Sequence, residues 1–390
     1  MSSAPPPLAA STQVELTTLA LSNLTSAFIL LGATSALFGP LLVTFSHHFA
    51  VSLPRAGEVV SVYFVGGLIG VVPGRWGLGH STGRRVLSAS LITVAAGSLC
   101  SGLVHAWPIF LASIFLLGVG FGALDMSINV LLSRTGASGR AHRLSIVNAG
   151  YGLGAVISPL LLVVVHPGNF AAVLVGVAVI AMSLTTFNAG VHAPALATGE
   201  HARRRDAPAT ARWSIIASFV AAYVVYVALE TSASGWMSAQ LQRGGYSPSV
   251  GSVVTAGFWV GMTLGRSLGG ALHRVLSAQR LILGGLALAV VADLAATSNR
   301  VALVSYPLLG LILASVFPMG LVWFTRLLPH DSDGVTFVLF AMMSGGVIGP
   351  GGVSFLVAHF GTHAIPYAFA ALAALDLALF AHIRRFVTPG

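Results

Sequence analysis

Two carboxylic acids lie inside long apolar stretches of this sequence. Asp125 stands in GVGFGALDMSINV, and Glu230 stands in YVVYVALETSASGWM. An ionisable residue at the centre of a bilayer costs about 2.5–3.5 kcal/mol on insertion scales, so it must face a bundle interior or a wet cavity. A carboxylate held there can take a proton from one side and release it to the other. We therefore expect Asp125 and Glu230 to bind and release protons.

Polar and aromatic side chains follow these acids at helical spacing. Asn129, four residues after Asp125, shares its helix face, where its amide could hold a sugar hydroxyl. Trp236 and Gln240 follow Glu230 and are also four residues apart, so they offer a sugar ring an aromatic platform and a hydrogen-bonding group. The small residues at 231–235 predict a break in this helix, which a membrane protein tolerates only where the backbone lines a cavity.

Each of these residues also has a structural interpretation. Asp125 could be a neutral acid hydrogen-bonded between helices, and Trp236 could be an anchor at the membrane surface. The remaining candidates fit either a binding site or helix packing: Asn148, Tyr151, Trp259 and Trp323. Two further acids within apolar stretches, Asp293 and Asp376, have no evident partner in the sequence.

The composition is that of a helical membrane protein. Of 390 residues, 56% are hydrophobic and 7% are charged, whereas soluble domains carry about 25% charged residues. A bilayer core requires about 20 apolar residues per helix. The sequence predicts twelve such segments, at 16–45, 56–77, 86–104, 107–132, 143–165, 169–192, 213–241, 249–273, 279–298, 301–327, 335–359 and 365–386.

The arginines predict how these segments are oriented. The chain has no lysine, and with both termini in the cytoplasm the inner loops and tail hold fourteen arginines against three in the outer loops. This asymmetry follows the positive-inside rule. The basic residues sit at segment ends rather than in a patch, so the net charge of +9 does not indicate nucleic-acid binding.

The two halves of the sequence repeat each other. Gly66, Gly70, Gly74–Arg75 and Gly79 recur 191 residues later as Gly257, Gly261, Gly265–Arg266 and Gly270, and Gly154 and Pro159 recur as Gly345 and Pro350. We therefore expect a disordered tail at 1–14, a six-helix bundle at 15–192, a basic cytoplasmic linker at 193–212 and a second bundle at 213–390.

These features resemble the major facilitator superfamily over nearly the full length of the chain. The stretch GRWGLGHSTGRRVL is similar to the family's loop signature between its second and third helices, with His80 near the position of the usual acid. GFGALDMSIN, NAGYGLGAVISPL, YVALETSASGWM and GFWVGMTLGR resemble the fucose–proton symporter group. The resemblance implies an all-α membrane protein with twelve transmembrane helices in two pseudo-symmetric six-helix bundles.

The resemblance also implies roles for several residues. In this superfamily the fourth helix lines the central cavity, and the fucose group carries a coupling carboxylate at the position that Asp125 resembles. The fifth helix of that group supplies polar ligands, which assigns Asn148 and Tyr151 to the substrate. Arginines at the cytoplasmic helix ends are expected to cap those ends and clamp the inward gate: Arg75, Arg84, Arg85 and Arg266. A monomer in the plasma (inner) membrane is the default form.

We therefore predict proton-coupled symport of a small neutral sugar or polyol by alternating access. No phosphate loop, catalytic triad or zinc signature appears in the sequence, so we expect no enzyme activity, no cofactor and no metal. The first alternative is a drug–proton antiporter that exports lipophilic compounds. The second is a membrane receptor or channel, and an enzyme acting within the membrane comes last. The sequence names neither the substrate nor the direction of transport.

Overall fold

The structure is a computed structural model that describes residues 15–135, 140–192, 209–329 and 331–386. The first bundle consists of α1 (Thr18–His48), α2 (Leu53–His80), α3 (Gly83–Leu103), α4 (Trp107–Ser133), α5 (Arg140–Val165) and α6 (Phe170–Thr186). The second consists of α7 (Ala209–Arg243), α8 (Pro248–Leu272), α9 (Ala278–Ala295), α10 (Asn299–Leu313), α11 (Val316–Leu327), α12 (Ser332–Ala341), α13 (Met343–Phe360) and α14 (Ile365–Ile383). Two short strands, β1 (Glu15–Leu16) and β2 (Val191–His192), pair antiparallel beside the first bundle.

The prediction of twelve membrane segments is confirmed, with two of them broken. The tenth segment contains α10 and α11, and the eleventh contains α12 and α13. Among the described residues, eleven helical stretches are long and apolar enough to cross a bilayer, and α8, which is rich in glycine and contains Arg266, completes the set. The sixth helix ends at Thr186, before the predicted end at 192. The predicted tail at 1–14 and most of the predicted linker lie outside the described residues.

The predicted break at 231–235 is wrong, because α7 runs without interruption from Ala209 to Arg243. Its small residues serve packing instead: Ser232 and Ser234 are buried, and a methyl group on Gly39 of α1 would overlap the Ser234 carbonyl. The tenth span is broken at Ala314–Ser315. Pro318 lies just beyond this break and has no backbone N–H to offer the preceding turn.

The repeated glycines occupy equivalent helix contacts in the two bundles. A side chain on Gly66 or Gly70 of α2 would overlap backbone atoms of α4, and one on Gly261 of α8 would overlap the backbone of α10. Gly154 of α5 likewise faces the backbone of α1, and Gly345 of α13 faces that of α7. The glycine spacing that recurs in the sequence therefore marks positions at which helix backbones approach closely.

The two bundles meet at one end of the molecule. We call it the arginine-poor end, and it carries the connections after α1, α3, α5, α7, α9 and α13. The opposite end, which we call the arginine-rich end, carries the connections after α2, α4, α8 and α11. Gln242 donates to the Pro40 carbonyl at 3.2 Å, and Ser354 donates to the Pro54 carbonyl. Ser61 of α2 donates to the Val347 carbonyl at 2.9 Å. The arginine-poor end is thus closed by side-chain to backbone hydrogen bonds.

We infer from exposure and helix contacts that the space between the bundles opens toward the arginine-rich end. The helix α4 packs against α1, α2, α3 and α5 of its own bundle, and within the described residues none of its side chains hydrogen-bonds to the second bundle. Asn148 on α5 and Arg266 on α8 are exposed. We call this space the interbundle cleft.

A glycine substitution tests this packing. Gly122→Ala places a methyl group against the carbonyl oxygen of Gly67. Because the methyl is fixed to one helix backbone and the oxygen belongs to another, neither can yield cheaply. Overpacking of this kind typically costs about 1–3 kcal/mol. We expect a clear drop in the thermal unfolding temperature of the purified protein in detergent.

The matched control is Gly284→Ala on α9, where a methyl group would meet open space. This variant is expected to unfold at or above the wild-type temperature, since alanine favours a helix by about 1 kcal/mol over glycine. Equal unfolding temperatures for the two variants would contradict the α2–α4 contact.

Candidate functional site

Asp125 and Asn129 form a fixed pair on one face of α4. The Asn129 amide donates to the Asp125 carboxylate at 3.2 Å and to the Asp125 backbone carbonyl at 3.0 Å. Both residues are partly exposed, whereas the neighbouring Leu124 and Ile128 are fully buried in the first bundle. The acid is therefore held in place on the face of α4 that does not pack into its own bundle.

Tyr151 connects this pair to the second bundle. Its hydroxyl donates to the Ser35 hydroxyl of α1 at 2.7 Å, and its ring meets the Trp259 ring of α8 edge-on, with centroids 6.2 Å apart. The charges of Asp125, Glu230 and Arg266 all act on Tyr151. Groups from α1, α4, α7 and α8 thus lie around one tyrosine of α5 between the bundles.

Glu230 on α7 is partly exposed. Tyr226 lies one helical turn earlier, and the charge of Arg266 acts on Glu230 from α8. Arg266 was expected to cap a helix end and clamp the gate like Arg75. That role stays a prediction, and the charge of Arg266 also balances part of the negative charge of Glu230.

Asp125, Asn129, Tyr151, Glu230 and Arg266 are called the central cluster below. With both acids ionised, the cluster has two negative charges and one positive charge. Protonation of one acid makes it neutral. Such a cluster can exchange a proton with water in the cleft, and it offers hydroxyl and amide groups to a ligand.

Trp259, another predicted ligand, lies beside the central cluster. Its indole N–H donates to the Ser234 hydroxyl at 3.1 Å, and 5% of the residue is exposed. Trp259 therefore forms an aromatic wall of the cleft together with Tyr151.

Three other predicted ligands lie away from the cleft. Trp236 is fully buried and donates to the Pro350 carbonyl at 3.2 Å. Gln240 donates to Ala296 and Asn299 and accepts from Tyr306, all within the second bundle. The Trp323 ring is buried and stacks on Phe380 of α14. We therefore leave Trp236, Gln240 and Trp323 out of the proposed site.

The remaining predicted residues lie toward the arginine-rich end. Asn148 is exposed, and its amide donates to the Leu144 carbonyl at 2.8 Å, so it lies at the mouth of the cleft. Arg75, Arg84 and Arg85 are exposed near the connection between α2 and α3. Their role in gating stays a prediction.

The structure adds residues that the sequence analysis missed. Tyr63 of α2 is buried, its hydroxyl lies 2.9 Å from that of Thr34 of α1, and the charge of Asp125 acts on it. Tyr226 could have been found from its position four residues before Glu230. Within the described residues, no group of three or more histidine, cysteine or acidic side chains could hold a metal ion.

Comparisons with known proteins agree with this architecture. The family model described as Major Facilitator Superfamily matches residues 24–292. A D-xylose–proton symporter structure is 13% identical, with a TM-score of 0.75 and coverage of 95% of this chain and 98% of that chain. The nucleoside transporter NupG is 11% identical, with a TM-score of 0.75 and coverage of 95% and 100%.

A third similar structure is a bacterial homolog of the human lysosomal transporter Spinster in an inward-facing, occupied conformation. It is 16% identical, with a TM-score of 0.73 and coverage of 95% of this chain and 98% of that chain. A search of curated proteins finds no match. At these identities, the structural likeness establishes the fold alone.

Cysteine labelling tests the geometry of the cleft. The exposed Cys100 is first replaced by serine, and single cysteines are then introduced as Asn148→Cys and Ser234→Cys. Asn148 is exposed at the mouth of the cleft, whereas Ser234 is 5% exposed at the closed contact between α1 and α7. A membrane-impermeant maleimide should modify the first variant from one side of the membrane and spare the second.

Thr82→Cys, in the exposed connection between α2 and α3, is the control for reagent access. It should react in the same vesicle orientation as Asn148→Cys, either inside-out or right-side-out, and be protected in the opposite orientation. Faster labelling of Ser234→Cys than of Asn148→Cys would contradict the closed arginine-poor end.

Proposed function

Because the chain belongs to the Major Facilitator Superfamily, we propose that it is a secondary active transporter carrying protons together with a small neutral solute. The favoured substrate class is a sugar or polyol. Transport proceeds by alternating access, in which the two bundles rock about the central cluster and expose it to one side at a time.

One observation carries the proposal: the partly exposed Asp125, fixed by Asn129, lies on the cleft-facing side of α4. Asp125, Glu230 and Arg266 together leave one unbalanced negative charge. Binding a proton at Asp125 removes that charge, so the cleft can close around a neutral solute without burying an unpaired ion. Closing the cleft on the ionised acid would bury it unpaired, and this difference couples the proton to the conformational change.

The chemistry of the cleft supports a sugar or polyol. Asn129 and Tyr151 supply amide and hydroxyl groups, and Trp259 and Tyr151 supply aromatic rings. A sugar has an apolar C–H face and a polar rim, so it can use both kinds of group. The D-xylose–proton symporter shares the fold. NupG and a peptide transporter share it as well, so the choice rests on the side chains.

The arginine distribution supports an orientation. Arginines concentrate in the connections of the arginine-rich end, and the positive-inside rule places such connections in the cytoplasm. Both termini are then cytoplasmic, and the conformation described here faces inward. A monomer in the plasma (inner) membrane, in contact with lipid and with no nucleic-acid partner, completes the proposal.

A drug–proton antiporter is the second candidate, favoured by the same unbalanced charge. A lipophilic cation could replace the proton at Asp125 and stack against Trp259. The two candidates differ in the direction of coupling. An imposed inward proton gradient drives accumulation of a symported sugar and extrusion of an antiported cation. A thermal-shift screen of sugars, organic acids and cationic drugs identifies the ligand to use in liposomes.

The decisive variant is Asp125→Asn. The amide keeps the size and hydrogen-bonding ability of the acid but cannot exchange a proton. We expect liposomes with this variant to lose uphill accumulation of the identified solute, by at least tenfold, while counterflow of labelled solute persists. Accumulation of solute by this variant at the wild-type level would contradict the proposal.

Glu58→Gln is the matched control, because Glu58 is an exposed acid on α2 near the arginine-poor end, away from the central cluster. It should accumulate solute at the wild-type level. Loss of accumulation in both variants would mean that removal of any acid from the chain impairs transport.

A further inference from the structure

A cluster of aromatic rings lies on the arginine-poor side of Asp125. It consists of Phe38 of α1, Tyr63 and Phe64 of α2, and Phe121 of α4, and we call it the aromatic layer. The Tyr63 ring meets the other three rings at centroid distances of 5.1, 5.4 and 5.0 Å, and Phe64 meets Phe121 edge-on at 6.3 Å. Phe121 precedes Asp125 by one turn of α4, so the two residues share a face of that helix.

Phe64 joins the aromatic layer to the second bundle. A methyl group added to Gly346 of α13 would lie 2.8 Å from a carbon of the Phe64 ring, so the ring packs directly on the Gly346 backbone. The other three rings of the layer are buried, whereas Phe64 is partly exposed. The layer therefore includes one contact that must separate when the bundles move apart at this end.

The contacts between α2 and α13 follow an order along the two helices. Nearest the arginine-poor end, Ser354 donates to a backbone carbonyl of α2. Farther in, Ser61 donates to a backbone carbonyl of α13 at 2.9 Å, and Phe64 on Gly346 is the innermost of the three contacts. Water can replace the first two, which are single hydrogen bonds. The third presents an apolar ring, which offers water no hydrogen-bonding partner.

Polar groups at this depth are already paired inside the protein. The Tyr63 hydroxyl lies 2.9 Å from the Thr34 hydroxyl. The seam between α5 and α8 is tight at Gly152, where an added methyl group would lie 2.6 Å from the Thr263 hydroxyl oxygen, and that hydroxyl donates to the Trp259 carbonyl at 2.8 Å. A buried water typically makes about three hydrogen bonds, so groups that are already paired do not hold one in place.

We propose that Phe64 is the barrier that keeps protons from leaking through the transporter while the cleft faces the arginine-rich end. This proposal rests on the proton-coupled function proposed above. With Phe64 on Gly346, Asp125 exchanges protons with water in the cleft alone. Without the ring, water from the arginine-poor end reaches Asp125 as well, and the acid takes a proton from one side and releases it to the other without a solute. Each such cycle moves one proton and leaves Asp125 unchanged.

Proton flux into liposomes tests the proposal in the absence of any solute. The purified protein is reconstituted with a pH-sensitive dye inside the liposomes, a pH gradient is imposed, and valinomycin with potassium compensates the charge. Phe64→Ser removes the ring and gives water a hydroxyl partner in the vacated space. We expect a several-fold faster proton flux than in the wild type.

Two further variants establish that the ring and the acid are the cause. Phe64→Leu keeps an apolar side chain on Gly346 and should keep the wild-type flux. The double variant Phe64→Ser with Asp125→Asn should also return to the wild-type flux, because the amide cannot carry a proton.

Chemical restoration of the ring tests the same contact if Phe64→Ser fails to fold. Phe64→Cys, made in the Cys100→Ser background, should admit protons several-fold faster than that background. Reaction with benzyl methanethiosulfonate attaches an aromatic ring to the new thiol and should slow the flux again. A flux that the reagent leaves unchanged would contradict the proposal.

Phe355→Ser is the matched control, because Phe355 lies on the opposite face of α13 from Gly346 and is 62% exposed. It should admit protons at the wild-type rate. Wild-type flux in Phe64→Ser would overturn the proposal. A leak that persists unchanged when Asp125→Asn is added would also overturn it, since the protons would then bypass the acid.

The result is separable from that of the proposed function. If Asp125→Asn loses uphill accumulation while Phe64→Ser is no leakier than the wild type, the proposed function stands and this inference fails. If Asp125→Asn accumulates solute normally, the proposed function itself fails.

Discussion

A bilayer core offers no water to hydrogen-bond with, so every polar group must find its partner inside the protein or in water that enters it. This constraint explains both what packs tightly here and what stays open. Gly66, Gly154 and Gly345 allow helix backbones to meet within each bundle. Asp125 and Glu230, which are less easily satisfied, lie on the faces between the bundles. Within the spans, ionised side chains are stable only where water or an opposite charge reaches them.

The architecture could be predicted because it depends on patterns that repeat along the chain. A long apolar stretch identifies a membrane-spanning segment, and the glycines that recur 191 residues later identify the two halves of the chain. The same reasoning singles out Asp125 as a candidate, since an acid in an apolar span has few stable surroundings. The break assigned to α7 was wrong because small residues signal close approach as readily as unwinding. Ser234 packs against Gly39, and the real break lies at Ala314–Ser315.

The contents of the candidate site were harder to predict because they depend on which helix faces meet. Trp236 and Gln240 have the chemistry of sugar ligands, but in this conformation their polar atoms bond to Pro350, Ala296 and Asn299. Arg266 looked like a helix-end cap from its place in the repeat, yet its charge acts on Glu230 across the gap between α7 and α8. Helical spacing identifies neighbours on one helix, but partners on another helix can be identified only from the folded structure.

Apart from the approach of Gly39 to the Ser234 carbonyl, the bonds between the bundles differ in kind from those within them. Within each bundle, glycines bring backbones together, and water cannot replace such contacts without opening a void. Between the bundles, Gln242, Ser354 and Ser61 donate to backbone carbonyls. A hydrogen bond of this kind contributes about 0.5–1.5 kcal/mol net, because water satisfies both groups when it breaks. Since water can enter at that end, the contact can open and close repeatedly while each bundle stays intact. Rocking of two rigid bodies is therefore the motion that breaks the weakest bonds.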